Sequence, residues 1–155
     1  MQIDTKYLVN DFIKYQILTK TGSNYFNLNS DLDSVDKIAS KNVSQLIVAL
    51  CDKFERYYKE SFQRSLCSEF CINAENLDSI MNNVSTELFT QNIINWSRII
   101  ALFAFCGCLA VNLNEKGMGN FIEIIEKWLV NFLNKSDVLE WLKSKGNWVM
   151  NCFQF

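Results

Sequence analysis

The chain has 155 residues, 49% of them hydrophobic and 21% charged, with a formal net charge of −2. A domain of that length buries a sizeable core, and so apolar a composition excludes a disordered chain. With no basic run and no arginine-rich face, nucleic acid is set aside as a partner.

Proline is absent and only five glycines occur, which favours long uninterrupted helices over turn-rich sheet. From Asp4 to Thr19, apolar residues fall at Tyr7, Leu8, Phe12, Tyr15 and Leu18 with helical spacing. The segment is therefore predicted to be an amphipathic helix and not a signal peptide. Gly22 is a natural helix stop, and the polar stretch Asn27–Ser34 is expected to be a loop. A second helix is predicted from Val35 or Asn42 to Glu60, with Val43, Ile47, Leu50, Phe54 and Tyr58 along one stripe. Phe62–Cys71 follows as a short, less regular helical segment. Asn73–Asn76 offers caps for a helix from Leu77 to about Gln91, whose apolar face is Leu77, Ile80, Met81, Val84 and Leu88.

Asn92 interrupts. Asn95, a good N-cap residue, then opens a polar corner, Asn95-Trp96-Ser97-Arg98, that runs into an uncharged apolar stretch, Ile99–Val111. In a soluble chain a helix that is apolar all round must be covered on every side by other helices. Ile99–Val111 is too short to span a bilayer, so the chain is expected to be soluble. Residues 112–120, with Gly117 and Gly119, are predicted as a turn. Phe121–Leu133 is predicted as a helix with Ile122, Ile125, Leu129 and Phe132 or Leu133 inside. After a break at Asn134–Asp137 come two short helices, Val138–Lys143 and Asn147–Phe153. The predicted class is all-α: seven or eight helices around one hydrophobic central helix, forming a single domain over residues 1–155.

Cys51, Cys67, Cys71, Cys106, Cys108 and Cys152 mostly fall at apolar positions of predicted helices, where an unpaired cysteine packs as a small hydrophobe. Cys67 and Cys71 share a helical face, but with no histidine and no paired C-x-x-C motif they give zinc little support. Structural thiols in a reducing cytosol are expected, with no metal and no cofactor. Catalysis has equally little to stand on. The chain lacks a histidine for a nucleophile–base pair, a G-x-S-x-G motif and a phosphate-cradling glycine loop, so no enzyme is expected. A binding groove fits the pattern better. A bundle that recognises an amphipathic helix needs an apolar trough for area and a polar anchor for register. Arg98 is the candidate anchor, against the alternative of a surface arginine that pairs with a neighbour.

Four segments resemble the homology motifs of the Bcl-2 family of apoptosis regulators, in the family's order. Residues 7–18 followed by Gly22 resemble the fourth motif. Ile47-Val48-Ala49-Leu50-Cys51-Asp52-Lys53-Phe54-Glu55 resembles the third, in which L-x-x-x-G-D-x-F-E is typical. Glu87-Leu88-Phe89 leading into Asn95-Trp96-Ser97-Arg98 resembles the first, N-W-G-R. Trp141-Leu142 with Gly146-Asn147-Trp148 resembles the second, and Trp128 matches the family helix after the central one. The resemblance implies a helical bundle with a surface groove that binds homology-3 helices of proapoptotic relatives. Carried over position by position, Phe54, Tyr58 and Phe62 would line the groove. Leu88 and Phe105 would lie on its floor and Glu87 on its rim, while Asn95 and Arg98 would hydrogen-bond the ligand's aspartate. Ser97 would sit where the ligand backbone comes closest. Trp96, Trp141 and Trp148 are expected to be packing residues.

The chain departs from the family pattern in four places. Ser97 and Cys51 replace family glycines, the Phe89–Asn95 link is about one residue longer, and the loop after the first helix is short. The resemblance is greatest to a compact prosurvival member acting in the cytoplasm. A viral homologue, or a longer chain with a removed membrane anchor, would each account for the missing tail. A membrane-perforating effector and a viral inhibitor of innate immune signalling are the alternative roles. Association with the mitochondrial outer membrane and homodimerisation are both compatible with the resemblance.

Overall fold

Helix α4 (Trp96–Glu115) forms the axis of the molecule because its sequence gives it almost no polar face. Trp96, residues 99–107, Leu109, Ala110 and Leu113 are all buried. Around it pack α1 (Thr5–Thr21), α2 (Ser34–Leu66), α3 (Leu77–Leu88) and α5 (Ile122–Leu133), while α6 (Ser136–Ser144) rests on α5. The computed structural model describes residues 3–23, 25, 34–66, 73 and 75–148, with the side chains of α2 described from 38 to 56. Among these residues all regular structure is helical: six α-helices and two 3-10 turns, Thr90–Asn92 and Gly119–Phe121.

Three boundaries differ from expectation. Helix α2 runs unbroken to Leu66, so Phe62 continues it and begins no separate segment. Helix α3 stops at Leu88, where Phe89 leaves helical angles (φ −106°, ψ 38°), and Gln91 and Asn92 beyond it take left-handed ones (φ 61° and 56°). Helix α4 continues a full turn past Val111 to Glu115, and the turn expected from residue 112 begins only at Lys116. With Trp96–Arg98 and Asn112–Glu115 added, α4 has 20 residues and is long and apolar enough to cross a membrane, although its central stretch alone is not. In the folded chain 72% of its most apolar window is buried against the other helices. The short helix expected at Asn147–Phe153 lies largely outside the described residues, as do Cys67, Cys71 and Cys152.

Asp4 caps α1, its carboxylate accepting from the Tyr7 amide at 3.0 Å, and Gly22 ends the helix at φ 73°. The helix sits deeper than its predicted stripe. Val9, Ile13 and Ile17 are buried while Tyr15 and Leu18 stay 47% and 43% exposed, because α1 is covered by α2, α4 and α5 together. Three rungs join α1 to α2. The Asp4 amide donates to Ser40 Oγ, the Ser44 hydroxyl donates to Asp11 Oδ2 at 2.7 Å, and Lys20 pairs with Glu55 at 2.7 Å. The rungs rise in the same order along both chains, so the helices run parallel. The α1–α4 crossing is close at Gly107, where a Cβ would lie 3.3 Å from Gln16 Cγ and 3.4 Å from Phe12 Cε1.

The N-terminal end of α4 is closed by aromatic rings. Trp96 meets Trp141 edge-on at 4.8 Å between centroids and Trp148 at 5.9 Å, and Trp148 meets Phe103 at 6.1 Å. These tryptophans pack the core end of the helix, as expected. At the opposite side of the bundle the hydroxyl of Tyr25 donates to the buried carboxylate of Glu126 on α5. Burial first, and that carboxylate second, push the Tyr25 hydroxyl well above its ordinary pKa.

Candidate functional site

Asn95 leaves the 3-10 turn in extended conformation (φ −150°, ψ 168°), and its Oδ1 accepts from the Arg98 amide at 2.9 Å. This capping bond satisfies one of the otherwise orphaned amides at the start of α4 and places Arg98 on the first turn. The arginine side chain then folds back. Its Nη1 donates to the carbonyls of Thr90 and Ile93, each at 3.1 Å. The ion pairs among the described residues are Lys20–Glu55 and Lys127–Glu123, so the Arg98 guanidinium meets no carboxylate among them. Asn95 keeps its Nδ2 to donate, since its Oδ1 is engaged.

The apolar residues expected beside this cation come from three elements. Helix α2 packs on α1 and α4, whereas α3 packs on α4 and α5. Both therefore border α4. Phe54 of α2 and Leu88 of α3 are half-buried against one core cluster that contains Phe105 of α4. Phe105 lies seven residues after Arg98, on the same face and about 10 Å further along the helix. It is only 5% exposed, a floor position already covered by its neighbours. Glu87 stands exposed on α3, and Ser97 is exposed on the first turn of α4 beside Arg98. Tyr58 and Phe62 belong to α2, but their side chains lie outside the described residues. Arg98 and Phe105 thus share one face of α4, Asn95 and Ser97 stand at its N-terminal end, Phe54 and Leu88 pack on the same core from α2 and α3, and Glu87 is exposed on α3.

Sequence reasoning missed what positions the wall formed by α3. Trp128 of α5 donates its indole N–H to Asn82 Oδ1 at 2.9 Å, and Phe89 leans on Phe132 at 5.0 Å between centroids. Trp128 also stacks on Phe132 at 5.4 Å. Nor did it find the two carbonyls that hold Arg98, because backbone acceptors leave no residue-type signal. The extra residue in the Phe89–Asn95 link was the one available hint. No group of three metal-ligating side chains comes together among the described residues. Burial pushes the Cys51 and Cys106 thiols well up, which suits packing and opposes ligation or attack.

The Bcl-2 family model, described as apoptosis regulator proteins, matches residues 47–148. The chain belongs to the Bcl-2 family. Rat Bcl-2-like protein 1 is 33% identical over 121 residues, covering 77% of this chain and 50% of that protein. Human Bcl-2 homologous antagonist/killer is 28% identical over 107 residues, covering 69% of this chain and 50% of that one. The chain thus spans about half the length of these relatives. Among solved structures, Trichoplax adhaerens trBcl-2L2 bound to trBak BH3 superposes with a TM-score of 0.77 at 24% identity, over 93% of this chain and 91% of that one. The Bcl-2 family match takes in α3, the Asn95–Arg98 corner, α4, α5 and α6, together with α2 from Ile47 onward. It therefore includes every residue of the candidate site.

Proposed function

We propose that this chain is a prosurvival member of the Bcl-2 family. It would act in the cytoplasm or at the mitochondrial outer membrane and sequester proapoptotic relatives by holding their amphipathic homology-3 helices. The trough above α4, between α2 and α3, supplies apolar area, and Arg98 receives the ligand's aspartate. One observation carries this reading: the guanidinium of the half-buried residue Arg98 stands at the start of the apolar helix α4 with no carboxylate among the described residues to neutralise it. An unpaired cation beside buried apolar groups selects a ligand that brings both an anion and a hydrophobic stripe. The Trichoplax neighbour, of the same fold, was solved with such a helix bound, which supports the class of ligand.

Prosurvival action is inferred from α1. Its fourth-motif-like sequence is fastened to α2 by three polar rungs and buried by α4 and α5. A second reading, a membrane-perforating effector, is favoured by α4's capacity to cross a bilayer and by the likeness to a relative named antagonist/killer. Titrating labelled homology-3 peptides into the protein, with dye-filled liposomes assayed in parallel, separates the two. Saturable binding without dye release is expected. Release on adding an activating helix would establish the effector, and indifference to every amphipathic peptide would refute both. Ser97 adds bulk at the position nearest the ligand backbone, so Ser97→Gly should widen the range of peptides bound. An unchanged ranking across the panel would reject that role.

A further inference from the structure

Arg98 is pinned at both ends by one short corner. Its amide is fixed by Asn95 Oδ1 at 2.9 Å, and its Nη1 donates to Thr90 O and Ile93 O at 3.1 Å each. Nη1 carries two protons, and two carbonyls accept from it. The end-on edge of the guanidinium, Nη1 with Nη2, is therefore closed to a second acceptor pair. The side-on edge, Nε with Nη2, has no acceptor among the described residues. The corner owes its shape to Gln91 and Asn92, consecutive non-glycine residues at φ 61° and 56°, which turn the chain so that the flanking carbonyls converge on one atom.

We propose that the Thr90–Ile93 corner is a positioning device: it holds Arg98 by Nη1 and so dictates that a ligand carboxylate is received on the Nε–Nη2 edge. The inference rests on the helix-binding function proposed above and adds how that function discriminates. A guanidinium already oriented loses little freedom on binding. A bidentate carboxylate can use both free donors, and a neutral amide of the same shape cannot.

Two measurements on the full chain test it. In the ligand-free protein labelled with 15N-arginine, Nη1 and Nη2 of Arg98 should give separate resonances because rotation about the Nε–Cζ bond is restrained. Exposed Arg56 serves as the averaging control. Binding is then compared for one homology-3 peptide carrying aspartate at the anchor position and for its asparagine counterpart. Wild type should prefer aspartate by about 30-fold or more. Gln91→Val puts a β-branched residue at a positive φ and so displaces the corner. This variant should lose at least about threefold of that preference while binding the asparagine peptide as before. Arg98→Lys keeps the charge without the fork, leaves the corner's backbone intact, and should bring the preference below about fivefold. A single averaged Nη signal, or an undiminished preference in Gln91→Val, would overturn the proposal. Failure of wild type to bind either peptide would instead remove the proposed function, and this inference with it.

Discussion

At Gly107 two opposing effects of one methyl group can be weighed. Gly107→Ala should gain about 1 kcal/mol of helix propensity. The added Cβ would lie 3.3 Å from Gln16 Cγ and 3.4 Å from Phe12 Cε1. Phe12 has no exposed surface and meets Phe103 edge-on at 5.2 Å, so it has nowhere to move. Overpacking of this kind costs about 1–3 kcal/mol, and we expect net destabilisation by about 1 kcal/mol in urea unfolding. An unchanged or raised midpoint would show that α1 can shift. The buried thiols make a second prediction at this scale. Cys51 and Cys106 are held neutral by burial, so their folded pKa values are raised. The unfolded chain releases those protons from about pH 8.5 upward while the folded chain keeps them. Their contribution to stability is therefore complete below that pH and is lost as pH rises above it. The melting temperature should fall between pH 8 and 10, and fall less in a Cys51→Ala/Cys106→Ala variant. Equal slopes would rule the thiols out as the cause.

Among the elements, α3 depends most on polar fastening, because its buried side chains are few: Leu77, Ile80, Met81 and Ser85. Among the described residues Trp128 of α5 fastens it by donating to Asn82 Oδ1. Asn82→Ala should destabilise the fold by only about 0.5–1.5 kcal/mol. It should also speed amide exchange in α3 more than in α1, which is held by three rungs. Uniform acceleration would mean that α3 opens only with the whole bundle. The helices themselves were legible where periodicity and caps agreed. Asp4, Gly22 and Asn95 marked ends that the structure places within a residue or two. The end of α3 was read about three residues late, at the Asn92 interruption, because the backbone already leaves the helix at Phe89 (φ −106°, ψ 38°), an apolar residue type that gives no stop signal. The burial of α1 was read too shallow, because an apolar stripe shows one contact face and α1 is covered by three helices.

For the molecule as a whole, the aromatic closure around Trp96 joins the site to the core. Trp96→Ala should cost about 3–5 kcal/mol and weaken peptide binding through loss of the α4 start. Trp96→Phe, which keeps most of the ring area, should preserve both. A mild effect of the alanine change in denaturant unfolding would mean that the cluster is peripheral to stability. The site as a whole was legible in outline. Arg98, Asn95, Leu88, Phe54 and Phe105 were named through the resemblance to the family's motifs, and the structure sets Arg98 and Phe105 on one face of α4 with Asn95 capping its start. What spacing could not show was how Arg98 is held, since its partners are carbonyls of an irregular corner.

The central claim is that the unpaired guanidinium of Arg98 anchors a visiting amphipathic helix. Isothermal titration of an aspartate-bearing homology-3 peptide into wild type and Arg98→Ala measures this most directly. Leaving a bound carboxylate without its partner costs about 2–5 kcal/mol. The variant should therefore bind at least about 30-fold more weakly while keeping the wild-type helical signal and melting transition. Equal affinity in the two proteins would contradict the account.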